Sequence, residues 1–349
     1  MLNHIRKNPK QLKKIEEFDG NTDTFLVISN TALGDTILST PAIKSLKKSF
    51  PKSKIIALIH KNYIPLFDNF SYIDAIIPFY GGYKKFFQTI KEIKKYKPKT
   101  TLIFHGNGPQ DIQIAIMSGS NFILKHPTQS KYKRYLSFDF KKEDKHIIEE
   151  RVDLVRKIGG KNIDLIMEIG ELHDKKIYKK YTKYRNFIGF QVGASESYRI
   201  WPIQNYIELA KRFIENQEKI LITGVKKEFQ YTKHVSNSSA DKIINLCGYT
   251  NIKELPYLIK QLKFIVVSDT GTMHLAIALK TPTICLFSPS NPNYTGPYQD
   301  MNIHKVIKKN GEFVNKKPKK QRSNEAMKLI SVNDVYDKYL LLKKEGIIL

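Results

Sequence analysis

The sequence predicts an α/β protein built from two Rossmann-like, doubly wound parallel sheets facing a cleft, and three observations carry that prediction. Short apolar runs alternate with helical segments from residue 24 to residue 158, and the alternation restarts at residue 187 and continues to residue 288. The runs are apolar throughout, as strands buried on both faces of a parallel sheet are. Polar clusters follow several of them, most plainly in "VVSDTGTMHLAIALKTPTICLFSP" at 266–289. The carboxyl ends of strands are where open α/β sheets bind ligands. A chain of 349 residues is also longer than one ordinary core supports, which favours two domains.

In the first half, "TFLVIS" (24–29) reads as a strand, followed by "ALGD" and a helix through "TILSTPAIKSLKKSF". Strand runs follow at 54–60, 72–80 and 100–106, with a basic amphipathic helix at 83–96 and helical periodicity over 144–158. The stretch 172–186, "LHDKKIYKKYTKYRN", is polar and basic and suits a linker. Beyond it, strands are expected at 187–193, 219–224, 242–248, 263–269 and 281–288, with helices over "PIQNYIELAKRFIENQ", "NIKELPYLIKQL" and "GTMHLAIAL". Residues 305–328 are rich in Lys and read as a loop, and a final helix follows with Ser331 as its N-cap.

The charge balance is unusual: 59 Lys and Arg against 33 Asp and Glu give +26. Such a field suits nucleic acid, an acidic lipid surface or a phosphorylated substrate, while solvated lysine-rich faces explain it equally well. A nucleic-acid binder would interleave aromatic and basic residues or carry a reading motif, and neither is visible, so no nucleic acid is expected. The two cysteines, Cys247 and Cys285, lie in apolar runs, which argues for a reducing compartment. No run approaches the roughly 18 apolar residues of a membrane span, and the N-terminus lacks the apolar core of a secretory signal. A cytoplasmic location is expected.

Four stretches carry candidate chemistry. In "SNTALGDTILSTPAI" (29–43), Gly34 allows a tight turn and Asp35 stands at the mouth of the helix. Asp35 is either a helix cap, worth about 1 kcal/mol, or a general base whose carboxylate the helix start keeps ionised. In "GASESYRIWPIQNY" (193–206), Ser195 and Ser197 offer donors to phosphate oxygens, and Arg199 is a permanent forked cation or an exposed loop charge. Trp201 is read as packing. In "TGVKKEF" (223–229), Glu228 is placed to accept from ribose hydroxyls or simply to sit in a first helical turn. Finally Asp269, Thr270 and Gly271 bring backbone N–H groups and a hydroxyl to one helix start, with His274 on the same helical side. The sequence has no G-x-G-x-x-G, no phosphate-binding G-x-x-x-x-G-K-[ST] and no D-x-D pair, so no cofactor and no metal are expected.

Taken in order, "LVISNTALGDTILSTPAIKSLKKSFP", "VGASESYRIWP", "TGVKKE" and "VSDTGTMHLAIALKTPTICLFSPSNPNYTGPY" resemble glycosyltransferase family 9, the bacterial lipopolysaccharide heptosyltransferases. The resemblance runs from residue 24 onward. It implies a GT-B fold with an N-terminal acceptor-binding domain (24–175), a C-terminal donor-binding domain (185–330), a C-terminal helix (331–349) and a basic extension (1–23). It also implies an inverting, metal-independent transfer of heptose from an ADP-sugar donor to an anionic, lipid-linked inner-core oligosaccharide. Asp35 would be the catalytic base, and Ser195, Arg199, Glu228, Asp269, Thr270, Gly271 and His274 would bind the donor. The basic helix 83–96 and the N-terminal lysines would meet acceptor phosphates and anionic lipid at the inner membrane. Three departures concern the sugar and acceptor rather than the chemistry: Ala194-Ser195 after the strand, the Lys-rich 301–328 without cysteines, and the first 23 residues. A relative using another nucleotide sugar or acceptor, a catalytically dead one kept for carbohydrate or lipid binding, and a basic nucleic-acid binder are the competing readings.

Overall fold

The computed structural model describes residues 12–106, 108–126, 130–237 and 242–349, and the chain divides into two compact units at the Glu171–Leu172 peptide. In the first unit, β1 (Thr24–Ser29), β2 (Lys54–His60), β3 (Ala75–Phe79), β4 (Thr100–His105) and β5 (Phe122–Lys125) form a sheet of order β3-β2-β1-β4-β5. Every pairing is parallel. Its helices include α1 (Leu33–Ile37), α2 (Thr40–Ser49), α3 (Phe86–Lys94), α4 (Pro109–Met117) and α5 (Ile147–Lys157). All six residues of β1 are buried, which its unbroken apolar run requires of a strand covered on both faces.

The helix expected after "ALGD" is two helices. Pro41, at the start of α2, cannot donate a backbone hydrogen bond, so α1 ends and a new helix opens. The strand expected over 72–80 and the helix over 83–96 are both shorter. Lys85 takes a left-handed φ of 53° and delays α3 to Phe86. The extension is folded from residue 12: Lys13 N donates to Asn121 O at 2.9 Å, Ile15 N to Ser137 O at 3.1 Å, and Ile15 is buried. Residues 1–11, with Lys7 and Lys10, lie outside the described residues.

The second unit holds α6 (Lys175–Tyr181), β6 (Ile188–Gln191), α7 (Ile203–Glu215), β7 (Ile220–Thr223), α8 (Phe229–Ser236) and β8 (Ile243–Asn245). It continues with α9 (Leu255–Ile259), β9 (Phe264–Ser268), α10 (Gly271–Ala278), β10 (Thr283–Phe287), β11 (His304–Lys308) and α11 (Val332–Lys344). Its sheet has the order β11-β10-β9-β6-β7-β8, again parallel throughout.

Two expectations are overturned here. The supposed linker contains α6, whose start is capped by Asp174 accepting from Lys176 N and Ile177 N at 3.1 Å; Tyr181 and Tyr184 are buried. The lysines that suggested a linker line its outer side. The supposed loop at 305–328 opens with the edge strand β11 and contains the short helix Glu325–Lys328. Lys305 and Lys308 masked β11 because an edge strand pairs on one side only, so lysines ride its rim while His304 and Ile307 are buried. The strand at 242–248 and the helix at 251–262 are shorter than expected. Ser331 does cap α11, its Oγ accepting from Asp334 N at 3.1 Å. That helix belongs to the second core, with Val335, Tyr339 and Leu342 buried and the Tyr339 hydroxyl donating to Glu218 Oε1 at 2.9 Å. Among the described residues, no helix is long and apolar enough to cross a membrane.

Candidate functional site

Both sheets have a topological switch point, where the strand order reverses: between β1 and β4 in the first unit, and between β6 and β9 in the second. Loops leaving the carboxyl ends of such neighbouring strands diverge and leave a crevice. The residues singled out by sequence gather at these two points.

At the first switch point, Asp35 is the third residue of α1, and the cap position is Ala32, with no side-chain cap bond. The carboxylate therefore does not serve as an N-cap. Oδ1 lies 3.2 Å from Arg151 Nη2 and 3.4 Å from His105 Nε2; Oδ2 accepts from Thr31 Oγ1 at 3.3 Å. Arg151 reaches in from α5, and its side chain is only 1% exposed against 29% for that of Asp35. Its Nη1 also donates to the Asp35 carbonyl at 2.5 Å and to Ser39 Oγ at 3.0 Å. A buried guanidinium with three such partners fixes the carboxylate in place.

His105 ends β4. Burial pushes its pKa down to about 4, with the Arg151 and Lys125 cations adding to that and the Asp35 carboxylate opposing it. The ring is neutral at neutral pH. Its Nδ1 is 2.6 Å from Thr31 Oγ1. A bare Nε2 lone pair facing a carboxylate would be repulsive, so Nε2 carries the proton toward Asp35, and Nδ1 accepts when the single Thr31 hydroxyl proton turns to it instead of to Asp35 Oδ2. Next to this array, Asp111 at the start of α4 is fully buried and accepts from Asn30 Nδ2 at 2.7 Å. Burial raises the Asp111 pKa and lowers that of nearby Lys125.

At the second switch point, the loop after β6 carries Ser195 and Ser197, both exposed, and then Arg199. Arg199 Nη1 donates to the Asp269 carbonyl at 3.2 Å and lies 3.2 Å from its Oδ2. The Arg199 side chain is 32% exposed and that of Asp269 is 9%. Arg199 Nε is buried with no hydrogen-bond partner among the described residues. Thr270 is the N-cap residue of α10, yet its hydroxyl donates to Gln191 Oε1 at 3.0 Å, so no side chain caps that helix. Gly271 is the first residue of α10, and His274, 4% exposed, sits one turn in among other buried residues.

Glu228 is placed differently from the others. Its Oε2 accepts from Val225 N at 2.9 Å, closing its own turn, and its side chain lies against Gly193, where a Cβ would stand 1.9 Å from Oε1. Burial raises its pKa. Trp201 is fully buried and donates from Nε1 to Ile330 O at 2.9 Å, which makes it a packing residue.

Sequence reasoning missed Thr31, His105 and Arg151. Two signals pointed to them: His105 closes the apolar run "TTLIFH", a strand's carboxyl end, and Arg151 occupies the apolar stripe of α5 with Ile147, Leu154 and Val155. A charge on a buried helical face calls for a partner.

Solved structures share this architecture. The glycosyltransferase family 9 structure from Veillonella parvula superposes with a TM-score of 0.78 at 19% identity, over 92% of this chain and 97% of that one. The E. coli ADP-heptose lipopolysaccharide heptosyltransferase II gives 0.74 at 19% identity, over 92% and 99%. The fold is that of the GT-B glycosyltransferases. Among curated proteins, lipopolysaccharide heptosyltransferase 2 of Salmonella typhimurium is 24% identical over 302 residues, 78% of this chain and 84% of its own. Lipooligosaccharide heptosyltransferase 2 of Haemophilus ducreyi is 34% identical over 123 residues, 33% of this chain and 35% of its own. The sequence model of glycosyltransferase family 9 (heptosyltransferase) matches residues 129–327. The chain belongs to that family and is a glycosyltransferase.

Proposed function

We propose that this enzyme transfers heptose from ADP-heptose to the inner core of lipopolysaccharide or lipooligosaccharide, with inversion and without a metal, at the cytoplasmic face of the inner membrane. The single observation that carries the reading is the Asp35 carboxylate, which caps no helix and is held at a switch point by the buried Arg151 and the neutral His105. The relatives' names support the sugar and the lipopolysaccharide acceptor.

In this mechanism Asp35 accepts the proton of an acceptor hydroxyl as its oxygen attacks the anomeric carbon. The new C–O bond forms on one face while the bond to the ADP oxygen breaks on the other, which inverts the centre. With Oδ1 bound by two donors, Oδ2 is the basic oxygen, and the Thr31 hydroxyl rotates between it and His105. ADP leaves as an anion. Arg199, with its buried unpaired Nε, and the uncapped start of α10 are the groups suited to hold that charge. Ser195, Thr270, Gly271 and His274 complete the proposed donor site, and Asp269 fixes Arg199 from behind. Glu228 contributes by shaping the loop at Gly193.

The test is transfer itself. Purified enzyme with ADP-heptose and a heptose-deficient core acceptor should yield a product of inverted anomeric configuration by NMR, with the same rate in EDTA. A retained configuration, or activity lost on chelation and restored by Mg²⁺, would refute the mechanism. Mass spectrometry of the core from a deletion strain should show a missing heptose.

A further inference from the structure

The stretch Tyr83–Lys99 holds seven lysines and one acidic residue, Glu92, which is paired with Lys95 at 2.5 Å. Helix α3 buries Phe86, Thr89, Ile90 and Ile93 in the first unit's core. Its opposite face carries Phe87, Lys91 and Lys94 at helical spacing, with Lys84 one turn earlier, and all four are exposed. Phe87 is 63% exposed, Tyr83 beside it 52%, and Tyr96 at the far end is also exposed. A single outward Phe on a soluble surface is ordinary. Aromatic tips spaced among unpaired lysines along one helix are the pattern of an interfacial element, whose rings enter the headgroup layer while the cations meet lipid phosphates.

The position of this face supports the same conclusion. The Tyr83 hydroxyl donates to Gln113 Oε1 at 2.9 Å. Gln113 shares α4 with Asp111, which accepts from Asn30, the residue before Thr31 in the loop between β1 and α1. The turn before α3 is thus linked through α4 to the loop after β1 that leads into α1 and Asp35.

We propose that the outer face of α3 docks the enzyme onto an anionic lipid bilayer, Phe87 and Tyr83 entering the interface and Lys84, Lys91 and Lys94 pairing with phosphates. The inference deepens the reading of a lipid-linked acceptor; a single-stranded nucleic acid, whose bases also stack on exposed rings, is the competing occupant that the vesicle test separates from it.

The test is cosedimentation of the full chain with phosphatidylethanolamine–phosphatidylglycerol vesicles, compared with phosphatidylcholine vesicles. Binding should require the anionic lipid. The triple variant Lys84→Gln, Lys91→Gln, Lys94→Gln should weaken it about a hundredfold, at roughly fivefold per lysine. A control triple on exposed positions of the second unit, Lys211→Gln, Lys219→Gln, Lys344→Gln, should weaken it by less than about threefold. Phe87→Ser should cost about fivefold, and Phe87→Trp should add an emission that shifts to shorter wavelength on vesicles, against the constant signal of the buried Trp201. Equal losses in the two triples would overturn the proposal. So would unchanged binding by Phe87→Ser together with an unshifted Phe87→Trp emission, which marks a surface for any polyanion. Vesicle binding is read without transfer, so a failed heptose assay leaves this outcome standing.

Discussion

The two switch points carry the same ion-pair device with its sign reversed. In the first unit the buried member is a cation, Arg151, and the half-open member is the Asp35 carboxylate. In the second the buried member is a carboxylate, Asp269, and the half-open member is the Arg199 guanidinium. A buried charge needs its partner, so neither buried group can leave. The member nearer solvent is a carboxylate in one unit and a guanidinium in the other, and the proposed mechanism uses the first as a base and the second to bind an anion. In the proposed mechanism, exchanging which end of the pair is covered lets the same fold serve proton acceptance in one unit and leaving-group stabilisation in the other.

The contrast can be broken most severely at Asp35. Asp35→Asn keeps the shape and removes the proton acceptor, so turnover should fall by about two to four orders of magnitude. ADP-sugar affinity by calorimetry should be nearly unchanged. Full turnover with lowered thermal stability would make Asp35 structural.

Gly271→Val attacks the other site by placing a branched side chain at the uncapped helix start. It should weaken ADP binding about 10- to 100-fold by keeping the diphosphate from the backbone N–H groups. Arg199→Gln comes next, with about a tenfold rise in the ADP dissociation constant, the effect of one charge-assisted hydrogen bond. Neither should alter proton acceptance, so a changed acid limb in the rate profile of either variant would contradict the division of labour. His274→Ala should raise the donor constant less, and ADP should slow hydrogen exchange at 268–274 more than in the first unit. Unchanged ADP affinity in all three variants would leave the second ion pair as a structural device only.

The smallest effect concerns pH. The native pKa of His105 lies near 4, below the ordinary imidazole value of about 6.5. The unfolded chain therefore binds a proton that the native state refuses between those values, and stability falls as pH drops through that window. His126 and His304, also held near 4 by burial, act in the same direction. Replacing His105 by Gln should flatten the dependence of Tm on pH between about 6.5 and 4. An unchanged slope would mean that His105 is solvated in the native state.

Strand-by-strand alternation, the switch-point loops and the D-T-G helix start were legible because each is local. An unbroken apolar run such as "FIVVS" reads as a buried strand wherever it occurs, and "DTG" before a helical run announces an open helix start. The elements misread at 172–186 and 305–328 were hidden by lysine, whose long stem covers apolar surface while its charge makes the sequence look unstructured.

By itself, then, the sequence determined the α/β class, the two halves, and the residues at the ends of β1, β6 and β9. Tertiary structure alone decided the partners. Arg151 lies 116 positions from Asp35, and Asp269 lies 70 from Arg199. The second pair exists because parallel crossovers return the chain to a neighbouring strand end, and the first because helix α5 packs back onto the same unit. The helix boundary at Ala32 settled that Asp35 is no cap, but which groups hold its carboxylate depended on the fold, and periodicity along the chain holds no information about that.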